Sequence, residues 1–298
     1  RAQRLPHRLL MNPVLSQSGF SLLELIVVVV LVGVLAGGGG LLILQPIEAY
    51  DDQVRRQQLV DQGEMALRQI TRDVRRALPN SVRVTSVGAG FAVEMVNTVD
   101  GARYRDEIGG EFITANDTLE FASGDTDFNL LGVFNTPGVL APGQRLVIYN
   151  TSAAGIYTDA ALNNNPGIVT TAGTTLTLST VTPATQDVEH HINMSPAFQF
   201  AQQSPGQRVF VIDGPTSYIC DPATSRIVRY SNYAFSAAQP TPPSGGTSGV
   251  VISQLSGCSM TYSPGTSQRG GTLTVEITIA DGGESINLLH QVHVVNVP

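Results

Sequence analysis

A long apolar stretch near the start of the chain dominates its hydropathy pattern. Residues 25–44 carry no polar side chain. At about 1.5 Å per residue, twenty helical residues reach roughly 30 Å, the thickness of one bilayer core. Three arginines precede the stretch, whereas Glu48, Asp51 and Asp52 follow it. This asymmetry predicts a transmembrane helix with a cytoplasmic N-terminus.

A cleaved signal peptide is the competing interpretation of this stretch. Such a peptide has a shorter apolar core and ends in small residues at its cleavage site. Ala36 and the four glycines of residues 37–40 are small, but apolar residues resume at Leu41. The resumed run argues against cleavage there.

Beyond Pro46 the pattern becomes that of an amphipathic helix. Apolar residues recur at steps of three and four, and the predicted stripe consists of Ile47, Tyr50, Val54, Leu67, Ile70, Val74 and Leu78. The arginines between them are expected to form a solvated face. Pro46 predicts a kink or break, and Pro79 predicts the end of the helix after Leu78.

Strand patterns dominate the chain after residue 80. Many segments alternate polar and apolar residues, which is typical of antiparallel sheets with one solvated face. The predicted strands are Ser81–Val87, Phe91–Val96, Thr118–Phe121, Gln144–Tyr149, Thr174–Thr180, Gln207–Asp213, Thr216–Cys220, Arg226–Tyr230, Gly249–Leu255, Cys258–Tyr262, Gly271–Ala280 and Glu284–Val295. A flexible loop is predicted over Ser236–Ser248. The fold class is therefore predicted as α+β, with a long N-terminal helix packed on an antiparallel β-rich domain.

The charge balance of the chain is acidic. The formal net charge is −7, and all 17 basic residues are arginine. Removal of a leader ending at Gly19 would take away three arginines and leave −10. Nucleic-acid binding requires a basic face that neutralises phosphates, so this composition argues against a nucleic-acid partner.

The two cysteines follow the apolar stretch. If that stretch directs the rest of the chain across a membrane, Cys220 and Cys258 lie in an oxidising compartment, which favours a disulfide over two free thiols. The pair brackets the predicted loop. No further ligand-type residue has zinc-site spacing around either cysteine, so a zinc site is not expected.

One short segment resembles part of a calcium loop. Asp125, Asp127 and Asn129 alternate like its first ligands, but Leu130 replaces the expected glycine and Thr136 the expected glutamate. We therefore expect a solvated turn, with a calcium site as the alternative. No other cofactor is expected.

Neither pair of neighbouring histidines predicts a metal site, and no motif predicts catalysis. His190 and His191 are adjacent, and His290 and His293 have odd spacing, so each pair should point to opposite faces of a strand. The sequence has no phosphate-binding glycine loop, no G-x-S-x-G motif and no triad order. No catalytic residue and no small-molecule substrate are therefore expected.

The start of the apolar helix resembles the N-terminal signature of type IV prepilins and type II secretion pseudopilins. Gly19-Phe20 is followed by Ser21-Leu22-Leu23-Glu24 and the long apolar run. In that family a prepilin peptidase cuts after the glycine and methylates the new phenylalanine amine. The resemblance implies a leader at 1–19, a transmembrane and filament-core helix at 20–45 and an amphipathic helix at 46–80.

Cleavage after Gly19 would explain why a charged residue, Glu24, lies at the start of the apolar helix. A charge within a membrane costs a few kcal/mol (~2.5–3.5 on insertion scales), so it is expected to have a partner. Cleavage would place the Phe20 ammonium four residues away, one helical turn from Glu24. That amine, in the same or a neighbouring subunit, is the expected partner. The alternative is a glutamate that reaches water at the interface.

The C-terminal part resembles a narrower family. Residues 207–298, including "SYICDPATSRIVRY" and "RGGTLTVEITIADGGESINLLHQVHVVNVP", are similar to the large minor pilins of MSHA-type pili, the MshO family, with PilW-type minor pilins and large minor pseudopilins as counterparts. The resemblance implies a periplasmic β-rich head over 81–298. Within that head, residues 81–206 carry no resemblance.

Together the resemblances imply a structural subunit rather than an enzyme. The expected protein is anchored in the inner membrane, faces the periplasm and then enters a pilus, in assembly initiation or at the tip. Its expected partners are major and minor pilins, prepilin peptidase and the inner-membrane assembly platform. The alternatives are a type II secretion pseudopilin, a tip adhesin, for which exposed Tyr230, Tyr233 and Phe235 would argue, and a membrane-anchored enzyme.

Overall fold

The computed structural model describes residues 19–107, 118–181, 188–265 and 270–298, with the backbone alone over 39–48. The leader predicted at 1–19 therefore lies outside the described residues except for Gly19. The chain divides into two compact units, Arg1–Val54 and Arg55–Pro298. Helix α1, Leu22–Arg75, contributes residues to both.

The first unit contains the start of α1. The helix is continuous through Gly37, Gly38 and Pro46, so the break predicted at the proline is absent. A proline inside a helix removes one hydrogen bond and costs about 3 kcal/mol, yet α1 extends over 54 residues that include Pro46. Tyr50 and Val54, which were predicted on the apolar stripe, are exposed, and the side chain of Ile47 lies outside the described set.

In the second unit α1 buries the predicted stripe. Leu67, Ile70 and Val74 are at most 7% exposed, whereas the arginines at 56, 68, 72, 75 and 76 are exposed. The helix ends at Arg75, earlier than predicted, because Ala77 forms an isolated bridge with Asn97. Leu78 is nevertheless fully buried.

The remaining elements are twelve strands and a short helix within the described ranges. The strands are β1 Arg83–Val87, β2 Gly90–Arg103, β3 Asp125–Asn129, β4 Arg145–Ile148, β5 Thr175–Val181, β6 Glu189–Phe198, β7 Arg208–Asp221, β8 Arg226–Ser231, β9 Thr247–Ser253, β10 Leu255–Ser263, β11 Gly271–Asp281 and β12 Glu284–Val294, and helix α2 is Ala153–Leu162.

The strands form three sheets. A six-stranded sheet has the order β1-β2-β7-β8-β9, with β4 also paired to β7, and the three-stranded sheets have the orders β10-β11-β12 and β3-β6-β5. Every pair of named strands in the described chain is antiparallel. The structure thus agrees with the predicted α+β class and its antiparallel β-rich domain.

Several sequence-based assignments in the middle of the chain were wrong. Residues 118–121 are not a strand, and the elements β3, β6 and α2 were not predicted. The strands predicted over Gln207–Asp213 and Thr216–Cys220 are one strand, β7, which continues through Gly214-Pro215. Register shifts in the β2–β7 pair near Asn97 accommodate that dipeptide.

Two large hydrophobic clusters form the core of the second unit, and β7 contributes residues to both. The first contains the stripe of α1 with Tyr218 and Cys220 of β7 and much of β11. The second contains Val209 and Val211 of β7 with Phe128 of β3 and the sheet around it. The long strand β7 therefore joins the cluster beneath α1 to the cluster of the β3-β6-β5 sheet.

A buried polar contact fixes α1 on the six-stranded sheet. The Asp73 Oδ2 atom accepts hydrogen bonds from the Tyr218 hydroxyl at 2.7 Å and the Arg229 Nε at 2.8 Å. Burial raises the pKa of Tyr218, and its hydrogen bond to Asp73 raises that pKa further. The phenol therefore stays neutral and donates to the carboxylate.

Loss of the Asp73 carboxylate should destabilise the second unit. In Asp73→Ala, the Arg229 guanidinium and the Tyr218 hydroxyl lose their common acceptor, and removal of one partner from a buried ion pair costs about 3–5 kcal/mol. We expect the lower end, about 3 kcal/mol, because Arg229 is partly solvated. Urea unfolding measures the difference. Asp61→Ala, at an exposed position of the same helix, is the control and should change stability by less than about 0.5 kcal/mol.

Candidate processing and assembly site

Gly19 and Phe20 form an exposed, non-helical segment immediately before α1. Helix α1 begins at Leu22, and the Phe20 side chain is 80% exposed. A Cβ atom added to Gly19 would meet no atom within 4 Å, and the residue does not adopt a positive φ. The described chain therefore imposes no requirement for glycine at position 19, and the peptide bond that follows it is accessible.

Ser21 caps the helix that carries Glu24. Its Oγ accepts a hydrogen bond from the Glu24 backbone N–H at 3.2 Å, and its carbonyl accepts one from the Leu25 N–H at 3.1 Å. This role of Ser21 was not predicted, although Ser21-x-x-Glu24 has the spacing of a capping box. The cap holds Glu24 in the first helical turn, where the helix dipole favours a negative charge.

The helix that follows this cap presents apolar side chains on every side. From Leu22 to Leu35 each large apolar residue is at least 48% exposed. A helix that is apolar on all sides is normally surrounded by other apolar groups, in a protein core or a membrane. Among the residues whose side chains are described, no helix combines the length and apolarity needed to cross a membrane. The predicted span, residues 25–44, includes residues 39–44, whose side chains are not described.

The two cysteines form the predicted disulfide. Cys220 lies in β7 and is fully buried, and Cys258 lies in β10 with a Cα–Cα distance of 6.6 Å between them. The bond joins the six-stranded sheet to the β10-β11-β12 sheet. It therefore ties together two sheets that both pack against α1.

The residues considered for calcium lie in a strand and not in the expected solvated turn. Asp125, Asp127 and Asn129 belong to β3. The two aspartates accept hydrogen bonds within the protein: Asp125 Oδ2 accepts from the Glu120 N–H at 2.8 Å, and Asp127 Oδ1 accepts from the Thr126 hydroxyl at 3.0 Å. Within the described ranges, no group of three acidic, histidine or cysteine residues could hold a metal ion.

The adjacent histidines diverge, as predicted from strand geometry. The His190 Nδ1 accepts a hydrogen bond from the Phe134 N–H at 3.0 Å, whereas the His191 Nδ1 contacts the Asn129 side-chain oxygen at 2.6 Å. Both are half-buried rather than surface residues. His290 and His293 are exposed on β12.

The aromatic residues that would favour an adhesin do not form an exposed cluster. Tyr233 is buried, and its hydroxyl donates to Glu94 at 2.7 Å. Phe235 packs in a third hydrophobic cluster, where its ring lies 6.2 Å from that of Tyr157. Tyr230 is half-buried. Their burial removes the observation that would have supported an aromatic binding surface.

Comparison with known protein families identifies a match at the N-terminus. Residues 15–40 match the family model of the prokaryotic N-terminal methylation motif, which spans Gly19, Phe20, the Ser21 cap, Glu24 and the start of the apolar helix. The chain matches no curated protein, and it matches no solved structure. The motif is a type IV pilin-like signal and supports a pilin or pseudopilin, a structural protein rather than an enzyme.

Proposed function

We propose that the chain is a minor pilin of an MSHA-type type IV pilus, made as a membrane-inserted precursor. The observation that carries the proposal is the N-terminal methylation motif at residues 15–40. It implies processing by prepilin peptidase and assembly with other pilins. On this proposal the peptidase cuts between Gly19 and Phe20 and methylates the new amine. The C-terminal resemblance to MSHA-type minor pilins supports the choice of filament.

The exposed apolar helix supports a membrane location followed by a filament location. Large apolar side chains surround α1 from Leu22 to Leu35, and both a bilayer and a bundle of neighbouring helices would bury them. We propose an inner-membrane anchor at residues 20–45, with a cytoplasmic N-terminus. The rest of α1, which ends at Arg75, and the head at 81–298 would face the periplasm until the subunit enters the pilus, in assembly initiation or at the tip.

The proposed mechanism is assembly without chemical turnover by the chain itself. After cleavage the Phe20 ammonium would begin the chain one turn before Glu24. A neighbouring subunit that enters the filament would place its own amine against this carboxylate, and the pairing of opposite charges in an apolar surrounding would fix the axial position of the helix. The Ser21 hydrogen bond to the Glu24 N–H supports this role because it holds the first turn in place.

Neutralising Glu24 should separate processing from assembly. In Glu24→Gln the cleavage junction is unchanged, so we expect normal removal of the leader. Without the Glu24 carboxylate the incoming ammonium has no partner in an apolar surrounding, where an unpaired charge costs about 2.5–3.5 kcal/mol on insertion scales, so the fraction of subunits in sheared pili should fall by roughly 100-fold. Immunoblots of pilus and membrane fractions measure that fraction. Glu64→Gln, also an exposed glutamate of α1, is the matched control. Equal incorporation of both variants would contradict the proposed role of Glu24.

A minor pseudopilin of type II secretion is the second candidate, because the same N-terminal motif serves both classes. The two candidates differ in the machine that loses function when the gene is deleted. A pilus subunit should be required for pili on the cell surface, whereas a pseudopilin should be required for export of secreted enzymes. Assays of piliation and of enzyme secretion in one deletion strain distinguish them.

A further inference from the structure

One cleft among the described residues is lined by four arginines. It has a volume of about 540 Å³ and lies in the second unit, where the end of α1, strand β2, the start of β7 and the last residues of the chain come together. The four arginines are Arg75, Arg76, Arg103 and Arg208. They come from three distant parts of a chain whose net charge is −7. We call this feature the arginine cleft.

The guanidinium groups of the arginine cleft are not neutralised by described carboxylates. None of the four takes part in an ion pair within the described ranges. Arg103 donates to the Gln207 side-chain oxygen, Arg208 donates to the Val297 carbonyl at 3.0 Å, and Arg76 donates to the Thr98 carbonyl at 3.5 Å. Each guanidinium has five N–H donors in a planar fork that suits a carboxylate. Most of these donors therefore remain for a ligand.

A single carboxylate, that of Asp100, lines the cleft, and backbone groups hold it. Its Oδ2 accepts from the Asn135 and Thr136 N–H groups at 2.8 and 2.7 Å, and its Oδ1 accepts from the Gly101 N–H at 2.7 Å. Burial alone would raise the pKa of Asp100, but these hydrogen bonds outweigh burial and lower it. The carboxylate stays charged, and the cleft keeps an excess of three positive charges.

Apolar surface lies beside these charges. Val295 is 68% exposed and Val297 is 48% exposed, and both line the cleft together with Phe210. A polysaccharide presents acid groups without aliphatic side chains, and a nucleic acid would be repelled by the acidic remainder of the protein. A peptide segment that alternates carboxylates with apolar side chains matches both the charge and the apolar surface.

We propose that the arginine cleft is a docking site for an acidic, apolar-containing peptide segment of a partner protein. The guanidinium forks bind its carboxylates, and the exposed valines with Phe210 contact its apolar side chains. This inference stands on the cleft alone and does not depend on the filament that the chain enters.

The test uses the full chain in detergent micelles and a short synthetic peptide that alternates glutamate with leucine. Fluorescence anisotropy should show saturable binding that weakens as salt is added. The same peptide with glutamine in place of glutamate should bind about tenfold more weakly or not at all. Heparin, a sulfated polysaccharide, serves as the comparison ligand.

Variants assign the binding to the cleft. Arg75→Gln with Arg103→Gln removes two of the four guanidiniums, and we expect about tenfold weaker binding of the glutamate peptide. Arg56→Gln with Arg226→Gln removes the same charge at exposed positions that do not line the cleft, and it should change binding by less than about twofold. No binding, equal loss in both double variants, or binding of heparin without the peptide would each overturn the proposal.

Discussion

Removal of the disulfide is expected to lower the free energy of unfolding by about 4 kcal/mol. The double variant Cys220→Ala with Cys258→Ala releases a cross-link between residues 38 positions apart. In the chain-entropy model a closed loop of that length contributes this amount, since the cross-link restricts the unfolded chain. The stability of a domain is about 5–15 kcal/mol, so the loss is a large fraction of the total.

Loss of the disulfide should also weaken the packing of α1 on the sheets. Cys220 is fully buried in β7, beside Tyr218, whose hydroxyl anchors α1 through Asp73. Release of the β10-β11-β12 sheet from β7 should therefore loosen the cluster that holds the helix. Oxidising conditions, as in the periplasm, favour formation of this bond.

Urea unfolding of the full chain, with and without a reductant, measures the effect. The oxidised protein should lose about 4 kcal/mol when reduced, whereas the double alanine variant should be insensitive to the reductant. A reduced wild-type protein as stable as the oxidised one would show that the bond contributes little to the fold.

Replacement of Gly19 by valine is expected to block processing without disturbing the fold. The peptide bond after Gly19 is exposed, and a Cβ atom at this position would contact nothing in the described chain. On the proposed function the peptidase imposes the requirement for glycine, because a Cβ atom at this position would hinder close approach of the enzyme to the backbone. We expect cleavage to be more than about tenfold slower.

The matched control is Ser21→Ala, two residues away on the other side of the junction. It removes the side-chain hydrogen bond to the Glu24 N–H and weakens the helix start by about 1 kcal/mol. Its leader should still be removed. Rapid processing of Gly19→Val, measured by the mobility shift of the precursor during coexpression with prepilin peptidase, would contradict the assigned junction.

The sequence was sufficient to predict the structure where apolar residues recur at a regular spacing. The stripe of Leu67, Ile70 and Val74 is buried because a helix places steps of three and four on one face. The strands of the last sheet, such as Gly271–Asp281, alternate buried and half-buried residues along their length. The N-terminal motif was readable for a similar reason, since its residues are contiguous.

Local patterns failed where distant contacts decide the structure. Asp125–Asn129 reads as a polar turn, yet it forms β3 because β6 supplies its pairing partner more than sixty residues later in the chain. Helix α2 has little periodicity, and its signals are the Ser152 cap and Asn163 in the left-handed region at its end. The arginines of the arginine cleft come from three distant segments, so in the sequence they appear only as a solvated helix face and isolated charges.

The N-terminal mass of the mature chain tests the central claim most directly. The precursor would be expressed with and without prepilin peptidase, and its N-terminus read by intact mass and peptide sequencing. If the chain is a pilin-type subunit, the mature protein should begin at methylated Phe20 only when the peptidase is present. A chain that keeps its leader in the presence of the peptidase, or that is cut near Ala36, would contradict that claim.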